Sequence, residues 1–152
     1  MPLLDVSFGI FAFMPQGWLF MMLIILLEAF VMNWVLGKKR IEMSVFVSAL
    51  AANGVSGILG IIISMILNGG WWLVVWFPWV TSYEVDVHEP KALIGLIIYY
   101  VAALVLSILI EWGINHAILR KRHPARKILK ATLYANAASY ALGTILLILL
   151  CF

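Results

Sequence analysis

Four stretches of this chain, at about 17–36, 44–67, 92–119 and 128–152, are apolar enough and long enough to cross the roughly 30 Å hydrocarbon layer of a bilayer as helices. No other feature constrains the fold as strongly. A soluble domain of 152 residues cannot hide a composition that is 65% hydrophobic and 11% charged, with a mean hydropathy of +1.09. The sequence therefore predicts an all-α membrane protein with four transmembrane helices in a single integral membrane domain, 1–152. The third stretch is longer than a crossing needs, which predicts tilt or projection beyond the bilayer.

Most of the charges fall between these stretches or at their ends and orient them. Lys38, Lys39 and Arg40 follow the first, and Arg120, Lys121, Arg122, Arg126, Lys127 and Lys130 follow the third. The connection between the second and third holds Glu84, Asp86 and Glu89 against Lys91. The positive-inside rule then predicts cytoplasmic basic loops and both termini outside, in a bacterial-type plasma membrane. Short basic loops beside apolar spans fit membrane lipids and topology, and no nucleic-acid partner is expected. The first basic residue is Lys38, so no basic region precedes the first span and that span is expected to be retained. Cys151 is the one cysteine, which excludes an internal disulfide, a cysteine-based metal cluster and a C-terminal prenylation box.

Sliding the chain against itself reveals an internal repeat. At an offset of 83 residues Glu28 meets Glu111, Asn53 meets Asn136, Ser56 meets Ser139 and Gly60 meets Gly143, without a gap. The glutamates are the acidic residues of the spans, so their coincidence weighs more than matches of leucine or alanine. Each repeat is a pair of helices, about 17–67 and 92–152, and an even number of crossings returns the chain to its starting side. The two copies must then share one orientation, as duplicated αα-hairpins related by a pseudo-twofold along the membrane normal.

Depth and spacing predict what the repeated polar residues meet. Glu28 lies about 15 Å along a helix from Lys38, near the midplane, and Asn53 reaches similar depth on the returning helix. The strip Ala52, Ser56, Gly60, Ser64 and its counterpart Ala131, Ala135, Ser139, Gly143 recur every four residues and let helices approach closely. No Lys or Arg within a span neutralises the carboxylates, so a neutral carboxyl exchanging hydrogen bonds with an amide is expected at Glu28–Asn53 and at Glu111–Asn136. Structural glue is the preferred reading of these pairs, with Ser56 and Ser139 in support. A proton or cation site is the alternative, because paired intramembrane carboxylates point to function. Asn33 and His116 also coincide, turned away from the glutamates. Asn115 shares the face of Glu111 but matches Met32, so the two sites are not expected to be equivalent.

The outer segment 68–91 concentrates Trp71, Trp72, Trp76 and Trp79 in a run too short to cross before Pro78. It is expected to lie in the interface, anchoring the protein or docking a partner subunit, a lipid or a quinone-like molecule. Alternation over 82–89 predicts a short extended strand or a solvated acidic loop. No catalytic constellation, phosphate loop, haem attachment or convincing zinc site is legible, so neither enzyme activity, metal nor cofactor is expected. Two functions remain. The preferred one is a non-enzymatic subunit or assembly scaffold bound to other membrane proteins or to itself. The alternative is a small proton- or cation-coupled transporter or channel.

The charge map makes a direct prediction. A cysteine replacing Lys39 or Lys127 should be shielded from an impermeant thiol reagent in intact cells, whereas one replacing Glu84 should react. Labelling from outside at either basic loop would sink the parallel-repeat topology.

Overall fold

A computed structural model of the chain describes residues 15–37, 42–68 and 90–151. Among these the protein is all-helical, with four helices and no strand: α1 (Pro15–Val35), α2 (Met43–Asn68), α3 (Pro90–Leu119) and α4 (Ala125–Cys151). The tryptophan-rich segment, the expected strand at 82–89 and the basic triplet Lys38–Arg40 lie outside the described residues. Within α3, Tyr100–Leu119 is long and apolar enough to cross a membrane, with a hydropathy of 1.7 and 11% of it buried. Leu19–Val35 and Met43–Leu59 are shorter apolar runs.

Local chemistry fixes where the helices start and stop. Pro15 and Pro90 open α1 and α3, where a missing N–H costs nothing and the fixed φ suits the first turn. Gly37 ends the first hairpin's leading helix at φ +77°, a conformation that side-chain-bearing residues rarely adopt. The carbonyl of Glu42 accepts the N–H groups of Val45 and Phe46, and its own N–H donates to Asn33 Oδ1 at 3.2 Å. In the second connection Pro124 takes the same role, accepting from Lys127 at 2.9 Å and Ile128 at 3.2 Å. That cap starts α4 at Ala125, ahead of the expected 128. Arg126 and Lys127 therefore stand on the helix and not in a loop.

The helices form a closed ring in which α1 packs on α2 and α4, and α3 packs on the same two. The most extensive contacts, α1 with α4 and α2 with α3, join one repeat to the other. Small residues make this closeness possible. Ala49 and Ala52 of α2, and Ala131, Ala135 and Ser139 of α4, are all at most 3% exposed. Gly143 is buried as well, whereas the surroundings of Gly60 lie outside what is described. At the loop end Leu36, just past α1, with Val45 of α2, Leu119 of α3 and Ile128 of α4, belongs to a single buried apolar cluster. Above the loops, Arg122 pairs with Glu42 at 2.8 Å and donates to Ser44 at 3.0 Å. Being largely exposed, this pair is worth about 0–1 kcal/mol.

Enlarging the strip tests the packing. Ala52→Leu and Ala135→Leu should each destabilise the bundle by about 1–3 kcal/mol, the usual cost of overpacking a closed core. The readout is a lower melting temperature in detergent. Variants that melt like the parent would show that the strip does not set the helix spacing.

Candidate functional site

The middle of the ring is polar. Asn53 Nδ2 donates to Glu28 Oε2 at 2.6 Å and to the carbonyl of Ala49 at 3.0 Å. In the second repeat Asn136 Nδ2 donates to Glu111 Oε2 at 2.6 Å and to the carbonyl of Thr132 at 3.2 Å. Ser56 and Ser139 repeat a further bond, each hydroxyl donating to the carbonyl of the asparagine three residues before it. Glu28, Glu111, Asn53 and Asn136 are 1–7% exposed. The 83-residue offset thus holds for the bonding pattern as well as for the residue types.

The serines add what the offset alone does not reveal. Ser56 Oγ donates to Glu111 Oε1 at 3.0 Å, across the repeats. Ser139 occupies the matching place on α4, and its one O–H goes to the carbonyl of Asn136. Glu111 is therefore held from both flanking helices, by an amide of its own repeat and a hydroxyl of the other. A helix turns about 100° per residue, so Asn53 and Ser56 share one side of α2 while serving two different partners. The two carboxyls are also near enough to feel each other's charge.

Toward the loops the pseudo-symmetry breaks. Ser48 Oγ donates to Asn115 Oδ1 at 2.6 Å, and Asn115 Nδ2 donates to Thr132 Oγ1 at 3.0 Å. The positions equivalent to Asn115, Thr132 and Ser48 are Met32, Ala49 and Ala131, all within the apolar core cluster. Away from the loops, Ser107 Oγ and Tyr140 Oη lie 3.1 Å apart. The Tyr100 hydroxyl donates to the carbonyl of Tyr140 and bonds the Thr144 hydroxyl, and its ring meets that of Tyr140 edge-on at 5.1 Å. Asn33 is buried and holds the α1–α2 connection. His116 stacks loosely on Trp112, ring centroids 6.1 Å apart.

Sequence reasoning missed Ser48, Ser107, Tyr100, Thr132, Tyr140 and Thr144. A usable signal existed: at the 83-residue offset, most of these polar side chains of the second repeat face glycine, alanine or isoleucine in the first. Trp71, Trp72, Trp76 and Trp79 lie outside the described residues. Among those described, no group of three or more His, Cys, Asp or Glu side chains gathers to hold a metal ion. No protein-family model, curated protein or solved structure matches the chain.

Because the crossing bond joins two otherwise separate hairpins, its loss should be measurable. Ser56→Ala should cost about 0.6 kcal/mol, the mean for interhelical hydrogen bonds in lipid. Steric-trap or detergent unfolding gives the comparison. A variant as stable as the parent would remove the crossing bond from the account of stability.

Proposed function

We propose that this chain is a non-enzymatic integral membrane protein that serves as a subunit or assembly scaffold of a larger membrane complex. The supporting observation is its inside-out polarity: carboxyls and amides occupy the middle of the ring, while the outer faces carry bare hydrocarbon. Leu19, Phe30, Trp34, Ile98 and Leu109 are 57–72% exposed and belong to helices on different sides of the ring. Such a surface calls for lipid tails or neighbouring helices. The four helices are then four spans, arranged as two duplicated αα-hairpins in parallel orientation, with both basic loops cytoplasmic and both termini outside a bacterial-type plasma membrane. The tryptophan-rich segment would dock a partner or the headgroup layer.

The central site fits the scaffold role because the chain satisfies it from its own side chains. Each carboxyl receives an amide donor, Glu111 a hydroxyl as well, and small residues close the ring around them. A proton- or cation-coupled carrier or channel is the second reading, favoured by the juxtaposed carboxyls of Glu28 and Glu111. Four close-packed helices enclose little volume, so that role would call for a second copy or a further subunit.

Substitution at the glutamates tests the scaffold. Glu28→Gln and Glu111→Gln keep the shape and hydrogen bonding of a neutral carboxyl, and should preserve the complex seen by in-cell crosslinking and native mass spectrometry. Glu28→Ala and Glu111→Ala leave one N–H of Asn53 or Asn136 without its acceptor away from water, at a cost of several kcal/mol, and should disperse it. A wild-type chain that is monomeric in its own membrane would overturn the proposal.

A further inference from the structure

The duplication supplies an internal comparison. The first repeat builds its half of the bundle with Gly17, Ile24, Gly57 and Ile61 where the second has Tyr100, Ser107, Tyr140 and Thr144. Helix contact alone does not require these hydroxyls, since the matching positions manage without them. In space they are not scattered. Ser107 precedes Glu111 by one turn of α3, and Tyr140 follows Asn136 by one turn of α4. Both therefore stand beside the carboxyl on the side away from the 120–124 loop. Tyr100, about 16 Å from Glu111 along α3, and Thr144, about 12 Å from Asn136 along α4, continue the same line outward.

In the opposite direction the path ends. Below Glu111 comes the amide of Asn115, tied up by Ser48 and Thr132. Below that, Leu36, Val45, Leu119 and Ile128 meet at 0–5% exposure as an apolar layer. One further atom points to an exchangeable proton. Asn136 Oδ1 is buried with no donor among the described residues, while its amide nitrogen is spent on Glu111 and on Thr132. A proton on a neighbouring carboxyl is a donor of the kind this corner lacks.

We propose that Glu111, with Glu28 beside it, is a proton-binding site that exchanges with the aqueous phase at the end of the bundle where α2 stops and α3 starts. The hydroxyls of Ser107, Tyr140, Tyr100 and Thr144 form its access, and the apolar layer closes it toward the loops. The groups that face Glu111 are Glu28 from α1, Ser56 from α2, and Asn136 and Tyr140 from α4; of these, Glu28 and Tyr140 titrate. Loading breaks and makes O–H bonds alone. A hydroxyl of the Ser107–Tyr140 pair gives up its proton to a carboxylate oxygen and is reprotonated by water entering past the Tyr100–Thr144 pair, which meets Tyr140 through its backbone carbonyl. Unloading runs the same transfers in reverse. The site would make the scaffold responsive to the pH of one compartment, and it rests on the membrane reading above.

The test uses the full chain in sealed vesicles with uniform orientation, fixed by the accessibility of a cysteine placed at Lys121. The infrared carbonyl band of a protonated carboxyl is followed while the pH on each side is stepped separately. The band should fall when the α2–α3 side is made alkaline, ignore the loop side, and vanish in the Glu28→Gln, Glu111→Gln double variant. Tyr140→Phe should retain the melting temperature but slow the response by roughly tenfold or more, the scale of losing a positioned proton donor. A band that follows the loop side, stays fixed on both sides, or responds as fast in Tyr140→Phe overturns the proposal. Release of the protein by alkaline carbonate would overturn the membrane reading too, whereas a retained protein with a fixed band overturns the proton site alone.

Discussion

A carboxyl in the middle of an apolar bundle needs hydrogen-bond donors, and it needs them from the chain itself. Glu28 and Glu111 each draw an amide at 2.6 Å, and Glu111 a hydroxyl across the ring as well. The geometry of that demand sets much of the rest. It places an asparagine and a serine three residues apart on α2 and again on α4, and on α2 one face thereby reaches two partners. It also draws the helices to a separation that only Ala, Ser and Gly allow along the seam. Leaving one such group unpaired costs several kcal/mol, comparable with the whole stability of many domains.

Much of this was legible in the sequence because it follows from short-range rules. Apolar runs bounded by prolines and basic residues locate the helices to within about three residues. The offset of 83 picks out Glu, Asn, Ser and Gly as a set. The crossing of Ser56 to Glu111 was not legible, since periodicity states which face a residue occupies but not which neighbouring helix stands there. The hydroxyl column was hidden for another reason. Tyr100 and Tyr140 read as ordinary aromatics of a membrane helix until their hydroxyls are seen meeting Ser107 and Thr144. The early start of α4 escaped because Arg126 and Lys127 looked like loop, whereas the carbonyl of Pro124 caps them into a first turn.

Where the two halves differ is as informative as where they agree. The layer containing Met32, Ala49 and Ala131 packs as hydrocarbon, and its mate containing Asn115, Thr132 and Ser48 packs as a hydrogen-bonded cluster of similar burial. Fold and polarity are thus separable here: one backbone arrangement accepts either chemistry. A polar version is tolerated only when every member finds a partner, and these three side chains do so with each other. The added groups sit around Glu111 and extend along α3 and α4, which makes the two carboxyls chemically distinct despite their matched amides.

The crossing serine bears on how such a chain could arise. A single hairpin holds its glutamate by one amide and has no hydroxyl of its own to finish the grip. Two identical hairpins, each able to lend its serine to the other, form a closed and self-complementary pair of the kind that twofold symmetry favours. In that ancestral dimer every substitution would appear twice, so a tyrosine introduced beside one carboxyl would also crowd the other. Joining the copies in one gene lifts that restriction. One half can then keep the hydrocarbon that holds the bundle together while the other acquires Tyr100, Asn115, Thr132 and Tyr140. A single chain of two such hairpins would combine the symmetry of a dimer with the freedom of a heterodimer.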